Sequence, residues 1–307
     1  MAFTITQLNL HCRVIDRPNR DFVLGPILRG MIGARLKTTS CIFKDLACET
    51  CHDTDQCAYY QVFEPKKETG PSKFPGMTSG PSGMLLKIFR DLWKVRRKIE
   101  GHFILKVNLL GPAIKYYREL ISAIRAVGES GVLNSFKFTI EGIDSDLNQH
   151  LSTENYWTGS GLPPEITVDG LAGDIGSQAL IHFETPVRLI QNGVVQSEIT
   201  PAMLLNFISR RIQVINHFYG DDVPLYNYSE LAPFFAQASL KHIHMRLVET
   251  HRHSSRQNRD IDLDGYWGDI TLDHVTPVVG QLLQLGALLQ VGKSTNMGFG
   301  YFYVRFN

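Results

Sequence analysis

Nowhere in its 307 residues does this chain carry an apolar run long enough to span a membrane, and its first residues lack the basic-then-apolar pattern of a secretory signal. The expectation is a cytoplasmic protein with no membrane partner. The chain also lacks an excess of either charge: 31 Lys and Arg stand against 30 Asp and Glu, a net charge of +1. With no overall basic field, a nucleic-acid partner must be met by local clusters. Cysteine is scarce, five in all, and without an export signal disulfides are the less expected use. What remains is an ordinary globular composition, 43% hydrophobic and 20% charged, in a chain long enough for one large domain or two of average size.

Four of the five cysteines crowd together as Cys41, Cys48, Cys51 and Cys57, and Cys48 and Cys51 form a C-x-x-C knuckle. That spacing suits a structural zinc, and the alternative is a cysteine-rich loop that binds nothing. A catalytic zinc is disfavoured, because four thiolates leave no open coordination position. Cys12 sits in an alternating apolar and polar run and reads as a core residue.

The stretch Val291-Gly-Lys-Ser-Thr-Asn-Met-Gly-Phe-Gly300 has the glycines and the cation of a phosphate-binding loop. Ala287-x4-Gly292-Lys293-Ser294 even meets a relaxed Walker A pattern. A P-loop, however, follows a strand and opens a helix, so that the helix N-terminus shares in holding the anion. Here the preceding run, 278–289, has helical spacing and the following run, 299–306, reads as a strand. The order is reversed, and the nucleotide reading fails. A nucleic-acid backbone is the phosphate left, with Gly292, Lys293, Ser294, Asn296, Gly298 and Gly300 as its contacts.

Periodicity divides the chain into two similar halves. Residues 3–15 read as a strand and 24–36 as a helix, with Gly30 and Gly33 on one face for close packing. A Lys-, Gly-, Pro- and Ser-rich linker covers 66–83, and 84–99 reads as a basic amphipathic stretch of helical spacing that includes Arg96 and Arg97. That stretch faces either solvent or a polyanion. Then come a strand (103–110), a helix (114–127) and a strand (136–143), and after the polar segment 144–164 the order repeats. In the second half 179–189, 239–248, 267–272 and 299–306 read as strands, and 201–219 and 278–289 as helices. The fold class is therefore α+β: two tandem ferredoxin-like, RRM-like βαββαβ domains with antiparallel sheets. The first spans 1–145, with the cysteine cluster as an insertion at about 40–60 and the basic segment at 84–99. The second spans 165–307 and carries the glycine loop.

Between the last two strands but one lies His251-Arg-His-Ser-Ser-Arg-Gln-Asn-Arg259. Two histidines, two serines and three arginines in nine residues do not make a core. The bland reading is a solvated polar loop. The sharper one is a site rich in phosphate donors and in groups that titrate near neutrality, on a loop at the strand ends.

That stretch, with Leu263-Asp-Gly-Tyr-Trp-Gly-Asp-Ile-Thr271 and the glycine loop, resembles the C-terminal domain of the CRISPR repeat-processing endoribonucleases, the "Cas six" members of the RAMP superfamily. Leu28-Arg-Gly-Met-Ile-Gly33, the four cysteines and Tyr60-Gln-Val-Phe-Glu-Pro65 are similar to the N-terminal half of one branch. The resemblance implies metal-independent cleavage of precursor CRISPR RNA within its repeats, leaving a 2′,3′-cyclic phosphate and a 5′-hydroxyl, with no cofactor for catalysis. CRISPR repeat RNA is the implied partner. The competing expectation is a non-cleaving RNA-binding subunit held among the other subunits of a CRISPR effector complex. The substrate 2′-hydroxyl is the nucleophile, so the protein must supply a base, an acid and cations. His253 is the first candidate for acid/base work, Arg256 for the phosphate and Ser254 for orientation. Arg252 and Arg259 join the RNA contacts, and His251 is second-rank. Better-known branches place a histidine near the end of the first helix, where His52 is the nearest candidate. His11, His102, His150, His182, His217, His242, His244 and His274 are expected to be structural.

Overall fold

The computed structural model describes residues 3–64, 73–74, 80–145, 165–168, 175–221, 228–254 and 259–307. The chain divides into two compact units, Ala2–Val168 with Phe218–Asp221, and Asp169–His217 with Asp222–Asn307. Both are ferredoxin-like and the fold is α+β. No helix among the described residues is long and apolar enough to cross a membrane.

The first unit contains, in order, β1 (Phe3–Asp16), β2 (Phe22–Val23), α1 (Leu24–Ser40), α2 (Ala58–Phe63), β3 (Met84–Lys87), α3 (Arg90–Trp93), β4 (Lys94–Val95), β5 (His102–Leu110), α4 (Tyr117–Ser130), β6 (Lys137–Asp144) and β7 (Glu165–Val168). The antiparallel sheet runs β3-β5-β1-β6, and β7 pairs with the first residues of β1. The alternation in β1 sends Leu8, Leu10 and Cys12 into one face, where α1 (Leu28, Ile32, Leu36) and α4 (Leu120, Ile124, Val127) cover them. Burial pushes the Cys12 thiol pKa up to about 12. Gly33 lets α1 meet the Phe63 ring, which would occupy the place of a side chain there, whereas Gly30 faces open space.

Three readings are corrected in this unit. The 84–99 segment is not one amphipathic helix. Its first four residues pair with β5, Met84 opposite Leu109 and Lys87 opposite Lys106, and supply the second strand of the βαββαβ unit. Sheet completion outweighs a helical period carried by so short a run. The remainder turns through α3 and pairs with β2. Second, Glu165–Val168 belongs to the first unit, through β1, rather than opening the second. Third, the helix expected from 114 begins as a 3-10 turn at Gly111–Tyr116. Most of the 66–83 linker and of the 144–164 segment lies outside the described residues.

The second unit contains β8 (Ala179–Phe183), β9 (Ile190–Gln191), β10 (Val194–Val195), α5 (Pro201–Tyr219), α6 (Tyr228–Gln237), β11 (Ser239–Val248), β12 (His251–Ser254), β13 (Arg259–Asp262), β14 (Gly265–Asp273), α7 (Pro277–Leu289) and β15 (Phe302–Phe306). Its antiparallel sheet runs β11-β14-β8-β15. Ile181, Phe183, Ile270, Leu272 and Phe302 fill the inner face. Thr276 caps α7 by accepting from the Val279 N–H. Gly286 brings α7 close to both partners: a Cβ there would lie 2.9 Å from Ile208 and 3.0 Å from Phe302. The strand expected over 179–189 ends at Phe183. Pro186 lies just beyond, and the Tyr301 N–H is taken by the Thr185 hydroxyl, so the ladder stops.

Candidate functional site

The motifs singled out in the second half meet at one end of its sheet. The polar stretch after β11 is not an irregular loop: it forms a ribbon, β12 against β13, projecting from the β11–β14 end. Its register sets His251 opposite Asp262, Arg252 opposite Ile261, His253 opposite Asp260 and Ser254 opposite Arg259. His251 and His253 therefore stand two residues apart on β12, in register with Asp262 and Asp260. The His251 imidazole Nδ1 lies 2.7 Å from the Asp262 carboxylate, with both side chains exposed. That hydrogen bond, reinforced by the Asp262 charge, raises the His251 pKa above its ordinary value. Arg256 falls among residues 255–258, outside the described residues.

The base of the ribbon is pinned: the Leu263 N–H donates to the Thr250 carbonyl (2.6 Å) and the Thr250 N–H to the Asp264 carboxylate (2.9 Å). Beside it lies the glycine loop, whose conformation explains its composition. Gly292 sits at φ 88°, and a Cβ there would come within 2.6 Å of the Arg188 carbonyl oxygen. Gly300, at φ 67°, packs directly against the Val291 carbonyl. The N–H groups of Val291, Lys293, Met297, Gly298, Phe299 and Gly300 already donate to protein carbonyls. The loop is thus a closed clasp and not the open cradle of N–H donors expected from its letters. Lys293 remains exposed on its outer side, and Gly292, Ser294 and Asn296 are partly exposed, while Gly298 and Gly300 are buried.

Sequence reasoning missed the residue that joins these two parts. Arg188 is only 9% exposed. Its Nε donates to the Asp264 carbonyl (2.8 Å) and its Nη2 to the Asp262 carbonyl (3.2 Å), both on the ribbon side. Its Nη1 donates to the Ser294 hydroxyl (3.2 Å) in the glycine loop, and its own carbonyl accepts from the Lys293 N–H (2.9 Å). Burial lowers its pKa, opposed by the Asp264 charge, and arginine stays protonated at neutral pH despite such a shift. Arg211 ties the loop to the helix layer, donating to the Leu289 carbonyl (3.3 Å) and the Thr295 hydroxyl (3.0 Å). The one available signal was a charge inside an apolar run, Val187-Arg188-Leu189-Ile190, which has to be paired when buried.

The remaining candidates lie in the first unit. Arg96 and Arg97 share a concavity of about 380 Å³ with Arg17, Asp21 and Lys98. Asp21 accepts from the Arg97 N–H (3.0 Å), and that bond, with the nearby cations, holds its carboxyl below the usual range. His52 is exposed in the cysteine loop, its ring 4.6 Å from that of Phe43. Cys41, Cys48, Cys51 and Cys57 are free and half-buried. Cys48 has its pKa raised, chiefly by burial, with Cys57 and Cys41 adding to it. Among the described residues no group of three or more His, Cys, Asp or Glu side chains is placed to hold a metal ion.

Residues 181–302, which include the ribbon, the clasp and Arg188, match the family model of the CRISPR-associated endoribonuclease Cas6. Residues 3–161 match a model described as an N-terminal domain, AF_1859_N. Residues 181–302 thus form a domain of the Cas6 family. That domain is one of CRISPR-associated, RNA-processing endoribonucleases. An uncharacterized protein of Archaeoglobus fulgidus is 21% identical over 311 residues, covering 99% of this chain and 100% of that one. Thermus thermophilus Cas6 (TTHB231) superposes with a TM-score of 0.55 at 14% identity, over 99% of this chain and 100% of the other. A Cas6 (TTHA0078) product complex gives 0.53 at 15% identity, over 98% and 99% of the two chains. A partial Cas6-RT-Cas1–Cas2 complex gives 0.56 at 12% identity, over 99% of this chain and 46% of that one. At these identities the structural likeness speaks for the fold, and the chemistry of this chain has to be argued from its own residues.

Proposed function

We propose that this chain cleaves precursor CRISPR RNA within its repeats, in the cytoplasm and without a metal, leaving 2′,3′-cyclic phosphate and 5′-hydroxyl ends. The observation that carries the reading is the meeting of two parts at one sheet end: a ribbon with two histidines two residues apart, and a clasp bearing an exposed lysine, joined by Arg188. In the reaction the ribose 2′-oxygen bonds to phosphorus and the P–O5′ bond breaks. A base takes the 2′-proton and an acid returns one to the 5′-oxygen. His253 is the leading acid/base group, with His251 second and His52 third. Ser254 orients, Arg256 neutralises the pentacoordinate phosphate, and Arg252, Arg259, Arg96, Arg97 and Lys293 hold the flanking backbone. The two-residue spacing of His251 and His253 along β12 favours a pair of imidazoles for the two proton transfers.

The test is incubation of the purified chain with repeat RNA of its own locus in EDTA, with mapping of the product ends. Cyclic phosphate and 5′-hydroxyl termini are expected. Binding without cleavage would overturn the endonuclease reading in favour of an RNA-binding subunit within a CRISPR complex. Unchanged cleavage by His253→Ala would remove His253 from its role. A structural zinc on the four cysteines is proposed from their spacing alone, and no step of the chemistry runs through it.

A further inference from the structure

The second unit's sheet has a face turned away from its helices, and the histidines read as structural lie on it. Register sets His244, Asp269, His182 and Tyr303 in one row across all four strands. His242, Thr271, Leu180 and Arg305 form the row two residues along, and Arg246 lies opposite Trp267 on the other side of the first. Side-chain contacts agree with the shared face. The His182 ring hydrogen-bonds the Asp269 carboxylate and lies 4.8 Å from the Tyr303 ring, tilted by 31°. The Arg246 guanidinium sits 5.6 Å above the Trp267 ring and that of Arg305 5.2 Å from the Tyr303 ring. His242, His244, Arg246 and Arg305 are exposed, and His182, Trp267 and Tyr303 are half-exposed.

Charge decides what such a face receives. The strand β11 carries Lys241, His242, His244 and Arg246 and no acid, and in the rows just named Asp269 is the one carboxylate, already bonded to His182. The exposed apolar residues of β11 (Leu240, Ile243 and Leu247) register with the opposite, helix-side face, so they do not furnish an apolar patch here. Two flat rings attended by guanidinium groups on an open four-stranded antiparallel sheet form a stacking platform with fixed cations. That combination suits single-stranded nucleic acid, in which every base offers a π-face and every linkage a negative charge. A second copy of this chain would bring β11 cations against β11 cations.

We propose that this sheet face binds an unpaired segment of the substrate RNA, with bases stacking on Tyr303 and Trp267 and phosphates meeting Arg246 and Arg305. The identity of the ligand rests on the RNA reading above, while the platform itself does not depend on where, or whether, the RNA is cut. Strands lie about 4.8 Å apart and residues two along a strand about 6.8 Å apart, so the two ring positions stand roughly 12 Å apart across β8, a span of two to three nucleotides.

The test uses the full chain and fluorescence anisotropy with labelled repeat RNA and with a short unstructured RNA. The variants are Tyr303→Leu and the exposed pair Arg246→Gln with Arg305→Gln, and thermal unfolding shows that each variant is folded. Tyr303→Leu is expected to weaken binding of both RNAs by roughly tenfold. The double arginine variant is expected to weaken it by at least as much, and to flatten the dependence of log affinity on log salt by between one and two units. Unchanged affinity for both RNAs in both variants would overturn the platform. So would light scattering showing that the substitutions alter self-association while RNA affinity stays fixed, which would make the face a protein interface. A wild-type chain that binds but never cuts would sink the endonuclease reading and leave the platform standing, because anisotropy does not depend on cleavage.

Discussion

Replacing Arg188 with methionine removes one charge and three hydrogen bonds but keeps most of the side-chain volume, and it loosens two parts of the site together. Hydrogen bonds from a charged donor contribute about 1.5–3 kcal/mol each. The acceptors are the carbonyls of Asp264 and Asp262 and the hydroxyl of Ser294. Asp262 is exposed and Ser294 and Asp264 partly so, hence water reaches two or three of the orphaned acceptors and the low end of that range applies. The guanidinium is itself desolvated, and removing a buried charge recovers part of its cost. Net destabilisation of about 2–4 kcal/mol is expected, read by urea denaturation at equal protein concentration. The loss should be local first: hydrogen exchange ought to accelerate in the β12–β13 ribbon and in 291–300 before it does in α5 or α7. Arg188→Lys keeps the charge but presents a compact ammonium in place of the planar fork, and should recover only part of the loss. A methionine variant within about 0.5 kcal/mol of the parent, with ribbon and clasp exchanging at parental rates, would refute the idea that Arg188 joins them.

Lys293→Ala should raise the Kd for repeat RNA while leaving the single-turnover cleavage rate at saturating RNA nearly unchanged, because the lysine is exposed on the outside of a closed clasp. A pure loss of rate at saturation would contradict this. Gly292→Ala should destabilise the chain by about 2 kcal/mol or more, since a left-handed backbone and an approach to a carbonyl oxygen both oppose a Cβ; calorimetry reads it. His251 should titrate above the ordinary histidine value in the folded chain, and Asp262→Asn should bring it back down, as read by NMR. Because the folded-state pKa is the higher one, the pair's support for the ribbon is present in full below the unfolded value and fades as pH rises through the folded one. Metal analysis of protein purified without chelator checks the four cysteines: about one zinc per chain, lost in the Cys48→Ser with Cys51→Ser variant, is the outcome expected from their spacing.

The two βαββαβ orders were legible because β1, β11, α5 and α7 each carry a clean period over ten residues or more, and a long period is hard to mistake. The strand β3 was missed because four buried residues, Met84–Lys87, have no room to show alternation and merge with the apolar positions of α3. What makes them a strand is β5, far along the chain. The ribbon was missed for a related reason. His251–Ser254 and Arg259–Asp262 are polar but for Ile261, so no hydrophobic face announces them, and their pairing is local to a chain reversal.

The same distinction between local and distant causes separates the site residues that could be read from those that could not. The glycines of the clasp were visible because a left-handed φ leaves a compositional mark at the position itself. Their purpose was misread in part because the carbonyls that take the Gly300 and Lys293 N–H groups belong to Pro186 and Arg188, more than a hundred residues earlier. Arg188 shows the limit most sharply: one cation between Val187 and Leu189 looks like an interruption in a strand. Only the arrival of Asp262, Asp264 and Ser294 turns it into the joint between ribbon and clasp. The histidines of β8 and β11 are the converse case. Each reads as a structural histidine in its own strand, yet pairing sets His182, His242 and His244 on one outward face with Tyr303 and Arg305. A residue whose role is fixed by its own backbone can be read from the sequence. A residue whose role is fixed by cross-strand neighbours becomes legible only once the register is known.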